Sequence, residues 1–250
     1  LEYTDRFYRR SYRQDDLIYF RAAIEETDLQ IGVNRDQYSK GLTVFAEKTI
    51  RDIRRPLEEY IKRDPRFITA LSPCDLLPGA PEIAEIMADA AYSVNVGPMA
   101  SVAGAIAEAV GKALAERCRE VIVENGGDIY MKTSRLRRVG IFAGESVLSG
   151  HVALEIEAQD TPLGICTSSG TVGPSLSFGK TDALVVLSRS AALADATATA
   201  CGNIVQTAAD IEKALDFADG IKSIHGIVII IGDHLGVRGK VKLARGMYTV

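Results

Sequence analysis

Asp195 and Thr199 stand four residues apart in SAALADATATACGNIV (Ser190–Val205), a stretch otherwise built almost wholly of small side chains, and Asn203 follows four residues later. On a helix such positions share one face, with Cβ atoms about 5–6 Å apart. A carboxylate oxygen and a hydroxyl there can converge on one hard cation. Mg²⁺ takes oxygen ligands at about 2.1 Å and keeps waters or phosphate oxygens in its remaining positions, so two side chains suffice. The competing reading is a packed helix whose Thr bonds back to its own carbonyls and whose Asp caps or pairs elsewhere. Either way a buried carboxylate needs something to balance its charge.

Three further features bear on chemistry. The turn ENGGD (Glu124–Asp128) gathers two carboxylates and an amide where a ligand's hydroxyls could meet them. A tight hairpin using positive φ at Gly126 and Gly127 explains it equally well. The run CTSSGTVGPSLSFGKT (Cys166–Thr181) is rich in hydroxyls and glycines and carries one cation, Lys180. Successive backbone N–H groups in such a turn form an anion-binding concavity, whereas a plain glycine-rich connection binds nothing. It is not a phosphate-binding P-loop: five residues separate Gly173 from Gly179, where that motif has four, and the apolar run Ala183–Leu187 reads as a strand rather than a helix. Cys166 is a candidate nucleophile or persulfide carrier. Burial as a small apolar side chain is the favoured reading, since a reactive thiol needs an open, positive setting.

The elements that would carry these residues follow from periodicity and punctuation. Tyr3–Arg13 and Leu17–Val33 read as two hairpin strands, and Gln37 to about Arg63 as an amphipathic helix. The proline-rich segment Leu71–Pro81 is a loop, Glu82–Tyr92 a helix, and Val96–Arg117 a third helix entered through Pro98. Strands are expected at Glu120–Glu124, Ile129–Lys132, Val139–Phe142, Val152–Ile156, Leu163–Thr167 and Ala183–Ser188. The small-residue helix, a charged helix Ala209–Phe217, and strands Ile227–Ile231 and Lys240–Leu243 complete the order. Strands and helices come in blocks rather than in strict alternation, which points to α+β with mainly antiparallel sheets.

Composition narrows the function classes. The 250 residues carry a net charge of −4, which gives no case for nucleic acid or an anionic membrane as partner. No window approaches the roughly 18 apolar residues of a membrane span. The opening LEYTDRFYRRSYR has no hydrophobic secretion segment, and without an initiator Met a few leading residues are expected to be missing. The four cysteines form no CxxC pair and the three histidines no HExxH, so neither a zinc site nor a disulfide framework is expected and the setting is read as reducing and cytoplasmic. Uncovered edges of antiparallel sheets would favour a homo-oligomer.

The ENGGDIY turn, the CTSSG strand end and the ALADATATA helix, in that order over roughly Val96–Val205, resemble the ApbE flavin transferase superfamily, and more closely a branch of uncharacterised ApbE-like proteins. The resemblance implies a single domain over 1–250, α+β, of duplicated T-fold-like units with halves of roughly 1–95 and 96–250. It implies an FAD site lined by Gly126, Gly127, Asp128, Thr167, Ser168, Ser169 and Gly170, with Lys180 on the same loop. It also implies a Mg²⁺ held by Asp195, Thr199 and the carbonyl of Ala100. The transferases move FMN from FAD onto a Thr of a target protein. Two departures bear on that activity. Ser101 stands where the transferases carry Lys, and their histidine-bearing segment is reduced here to SLSFGKTDA, with Pro174 where a His often sits in close relatives. With no base identifiable, the known transfer route is not expected. The expectation is a Mg²⁺-dependent binder of FAD or a related nucleotide. The alternatives are a sulfur-relay protein using Cys166 in sulfur amino-acid synthesis and a module that kept the fold and lost the site.

Overall fold

The computed structural model describes residues 14–170 and 179–246. Leu17–Ile24 (β1) and Thr27–Asn34 (β2) form a hairpin with each other, so the segment expected as one long strand folds back on itself at Glu25-Glu26. Glu25 takes φ +51°, and Arg54 reaches across to both glutamates, at 2.8 Å and 2.6 Å, neutralising two adjacent carboxylates in a turn. The other expected partner, Tyr3–Arg13, lies outside the described residues.

Helix α1 (Lys40–Arg63) starts at Ser39, whose hydroxyl accepts the Leu42 N–H. A short helix α2 (Arg66–Thr69) and the expected loop lead to α3 (Glu82–Val94), which ends at Asn95 in the left-handed conformation. A 3₁₀ turn, Pro98–Ser101, runs directly into α4 (Val102–Ala115). Then follow β3 (Val121–Asn125), β4 (Asp128–Lys132), β5 (Arg137–Gly140), β6 (Val152–Ile156), β7 (Leu163–Ser168) and β8 (Ala183–Ser188). The chain continues through α5 (Ala191–Ile204), α6 (Ile211–Asp219), β9 (Ile224–Ile231), β10 (His234–Gly239) and β11 (Leu243–Arg245). The expected strand Lys240–Leu243 is thus displaced. A turn at Gly232, φ +61°, sends the chain back along β9 as β10, and two of that strand's six residues are glycines, which hides it from a pattern search.

One eight-stranded sheet has the order β1-β2-β3-β4-β7-β8-β9-β10, every pairing antiparallel, and a second has the order β11-β6-β5. The α+β expectation with mainly antiparallel sheets holds. The large sheet divides between β4 and β7 into two four-stranded blocks, each a strand pair, then helices, then a strand pair. Alternate residues of a strand face opposite ways, so Leu184 and Val186 pack under α5 and α6 while Val185 and Leu187 pack against the small sheet. Burial on both faces is why β8 and β9 read as unbroken apolar runs. Among the described residues, no single helix is long and apolar enough to cross a membrane.

A buried ionic knot ties the sheets together. Arg137 at the start of β5 meets Asp16 and Glu120, and Glu120 also accepts from Thr133 and Ser134 at 2.7 Å and 2.6 Å.

Candidate functional site

The small residues of α4 and α5 let the two helices run against each other closely. A Cβ on Gly104 would fall 2.3 Å from the Ala191 carbonyl oxygen and 2.9 Å from the Asp195 Cβ. A Cβ on Gly164 would fall 2.4 Å from the Ala191 Cα. These absences bring three sequence elements to the first turn of α4. We expect Gly104→Ala to lower stability by about 1 kcal/mol in a denaturant titration. The overpacking cost of about 1–3 kcal/mol outweighs the roughly 1 kcal/mol that alanine gains over glycine inside a helix. A neutral or stabilising result would show that the contact yields easily.

Asp195 comes to that turn from α5. Its Oδ2 accepts the Gly104 N–H at 2.9 Å. Burial pushes its carboxyl up to about 7, against the N–H groups of Gly104 and Ala103, which favour the ionised form. Asp128 comes from the start of β4, and its Oδ1 accepts the Thr167 N–H from the end of β7 at 3.2 Å. Burial raises the Asp128 carboxyl well above the usual carboxylate range, and the charges of Asp195 and Glu124 raise it further. The turn preceding Asp128 is a two-residue turn with Gly126 at φ +68° and Gly127 at φ +109°, which only glycine adopts cheaply in succession. Asn125 donates from Nδ2 to the Ala103 carbonyl at 3.1 Å, and Glu124 Oε1 accepts the Gly127 N–H at 3.0 Å. Asn125 therefore stitches the turn to α4, and Glu124 closes the turn on itself.

The remaining expected residues fall into two groups. Thr199 lies one turn beyond Asp195 on α5, half-buried, and Ala100 packs among Ala192, Ala196 and Ala200 on a neighbouring face of that helix. Thr167, Ser168 and Ser169 are half-buried at the end of β7, and Gly170 is exposed, its N–H donating to the Thr181 carbonyl at 2.9 Å. Lys180 is not brought to Asp195. Its backbone N–H donates to the Val205 carbonyl at the far end of α5, about 15 Å along the axis at 1.5 Å per residue. The cause is another close backbone approach: a Cβ on Gly179 would fall 1.8 Å from the Gly202 carbonyl oxygen. Gly173 and Pro174 lie outside the described residues.

Cys166 overturns the sulfur-relay reading. It is fully buried, its Sγ–H donates to the Ala191 carbonyl at 3.2 Å, and burial beside Asp128 and Asp195 raises its thiol well above its ordinary value. A thiol so enclosed is neither accessible nor ionised. Ser101 is equally occupied: it is buried and its hydroxyl donates to the Pro98 and Met87 carbonyls at 2.8 Å and 3.3 Å. Among the described residues no three His, Cys, Asp or Glu side chains gather as a metal cluster. The candidate donors are of another kind: the Asp195 carboxylate and the Thr199 hydroxyl share one face of α5, and Asp128 is a second, buried carboxylate near Asp195. Two carboxylates in one buried corner need a proton or a cation between them, and an all-oxygen set suits a hard divalent ion. The residues fit Mg²⁺.

Sequence reasoning missed Gly104, Gly164 and Glu108, the last of which accepts the Ala191 N–H at 2.6 Å. A glycine inside VAGAIAEAVGK, at about 1 kcal/mol against alanine, was the available signal for a close helix contact.

A family model described as "AbpE bacteria" matches residues 9–241. The chain is 41% identical over 226 residues to a UPF0280 protein of Methanococcus maripaludis (strain C6), covering 88% of this chain and 90% of that one. It is 43% identical over 228 residues to a UPF0280 protein of Methanopyrus kandleri, again with 88% and 90% covered. Its fold is similar to the Pseudomonas stutzeri flavinyl transferase ApbE in its apo form, with a TM-score of 0.56 at 16% identity, covering 90% of this chain and 95% of that one. A flavin transferase ApbE from Vibrio cholerae gives a TM-score of 0.54 at 15% identity, with 92% and 97% covered.

Proposed function

The chain belongs to the "AbpE bacteria" family of ApbE-like proteins, and from that premise we propose that it binds FAD or a related nucleotide in a Mg²⁺-dependent way. The observation that carries the reading is the meeting of Asp195, the Gly126-Gly127-Asp128 turn and the end of β7 at the first turn of α4. Asp195, Thr199 and the Ala100 carbonyl would hold the cation, which when bound neutralises phosphate oxygens of the ligand. Thr167, Ser168, Ser169 and Gly170 supply hydroxyls and backbone along the strand end. Lys180, at the other end of α5, would meet a more distant part of a long ligand.

The reading is binding rather than flavin transfer by the ApbE route. Activating a hydroxyl needs a base within hydrogen-bond reach. The Ser101 hydroxyl is spent on two carbonyls, and His151, His225 and His234 lie beside β6 or on β9 and β10, elements that do not build this corner.

Calorimetric titration with FAD, ADP and ATP tests this. We expect heat with Mg²⁺ present and none with EDTA. A ligand at about 100 times its Kd adds roughly 2.7 kcal/mol, a rise of about 5–10 °C in Tm for a chain of this size, lost when the metal is chelated. Flat titrations with all three nucleotides and Mg²⁺ would reject the proposal and leave Asp195 as a helix cap.

A further inference from the structure

Helices α4 and α5 exchange caps. Asp195 of α5 accepts the Gly104 N–H in the first turn of α4, and Glu108 of α4 accepts the N–H of Ala191, the first residue of α5. Those N–H groups belong to the donors that a helix leaves unsatisfied at its start, and each carboxylate also meets the positive end of the partner's dipole. Glu108 is the only acidic residue of α4 and is buried. Its Oε1 is held by Lys112 at 2.6 Å, and the Ser190 hydroxyl donates at 3.4 Å to Oε2, the oxygen that accepts from Ala191, while itself accepting from Leu193.

The spacing makes this pair more than two independent caps. Gly104 and Glu108 are four residues apart, as are Ala191 and Asp195, so the helices run antiparallel and the two contacts lie one turn apart, about 6 Å along the axis. A helix held at two points a turn apart neither slides nor rotates. Without Glu108 the register of α5 on α4 would rest on the Asp195 bond and the close packing of Gly104 on Ala191.

We propose that Glu108 is a positioning residue that fixes Asp195 and Thr199 relative to the Ala100 turn, an inference that rests on the function proposed above. The test is amide hydrogen exchange on the full chain without metal or nucleotide, comparing wild type, Glu108→Ala and Glu108→Gln. The Gly104 N–H is bonded to Asp195 and not to Glu108, so it reports on positioning. In Glu108→Ala both Gly104 and Ala191 should exchange at least ten-fold faster, and the Gln variant, which keeps an acceptor oxygen, should restore most of the protection. A change confined to Ala191 would mean that Glu108 is only a local cap, and the inference fails. Should the Ala variant not fold, Glu108→Gln alone is expected to speed both amides about three-fold, and an effect on Ala191 only overturns the inference again. With ADP present, Mg²⁺ affinity should fall about ten-fold in Glu108→Ala, and an unchanged affinity contradicts the positioning role. A wild-type chain that binds no Mg²⁺ with ADP counts against the proposed function alone, because exchange at Gly104 reads the positioning without any ligand.

Discussion

Asp195→Ala is expected to abolish Mg²⁺-dependent nucleotide binding, weakening it by more than 100-fold, while the protein stays folded. The two halves of that expectation have separate causes. The carboxylate is the one charged donor on the polar face of α5, and a hard cation left with a hydroxyl and a carbonyl loses most of its electrostatic attraction. Stability changes less, because two effects of the substitution oppose each other. Losing the bond to Gly104 costs about 1 kcal/mol, the usual worth of an N-terminal cap. Removing a carboxyl that burial has pushed up to about 7 relieves a desolvation penalty. Asp195→Asn separates the roles, since its amide oxygen still accepts from Gly104 but carries no charge. The Asn variant should melt near wild type and show no Mg²⁺ dependence. Full Mg²⁺-dependent binding by Asp195→Asn would mean that the residue serves only as a cap.

The second large effect lies away from the site. Glu120→Ala should cost about 3 kcal/mol, read by urea denaturation at pH 7. Glu120 is fully buried, its neighbour Arg137 is 3% exposed, and removing one partner of a buried pair leaves the other uncompensated. Burial opposes the charge on Glu120, yet hydrogen bonds from Ser134, Arg137 and Thr133 hold its carboxyl down at about 2. That depression corresponds to about 3 kcal/mol, in line with the lower end for broken buried pairs because Arg137 retains Asp16. The pH dependence follows from the sign. A carboxylate whose folded pKa is depressed stabilises above its unfolded pKa, and the contribution is lost as pH falls from about 4.5 towards 2. The wild type should therefore lose stability across that window more steeply than Glu120→Ala. A variant within 1 kcal/mol of wild type at pH 7 would show that the knot adds little.

What the sequence made legible was local. The face shared by Asp195 and Thr199 follows from helix periodicity. Paired glycines at 126 and 127 announced a two-residue turn. Strands β6 and β8 stand where their apolar runs placed them. What stayed hidden depends on partners distant in the chain. Asp195 reads as a metal ligand or a cap until Gly104, ninety-one positions away, is seen to donate to it. The fold supplies the cap without removing the reason for a cation, since Asp128 arrives in the same corner from a different strand. The place of Lys180 was equally hidden. It lies beside Gly170, whose added Cβ would fall 3.2 Å from the Lys180 Cα, and the packing of Gly179 on Gly202 sets this part of the loop at the Val205 end of α5. Leu17–Val33 looked like one strand because no glycine or proline breaks it apart from Gly32 near its end. The turn instead uses a glutamate in the left-handed region, steadied by Arg54 from α1.

The most direct test of a cation site at this corner is a crystal of the full chain grown with ADP and Mn²⁺ in place of Mg²⁺, with anomalous scattering used to locate the metal. The account predicts one strong peak about 2.2 Å from a carboxylate oxygen of Asp195, with the Thr199 hydroxyl and the Ala100 carbonyl as further ligands. A peak elsewhere on the chain, or bound ADP with no metal at Asp195, would contradict it.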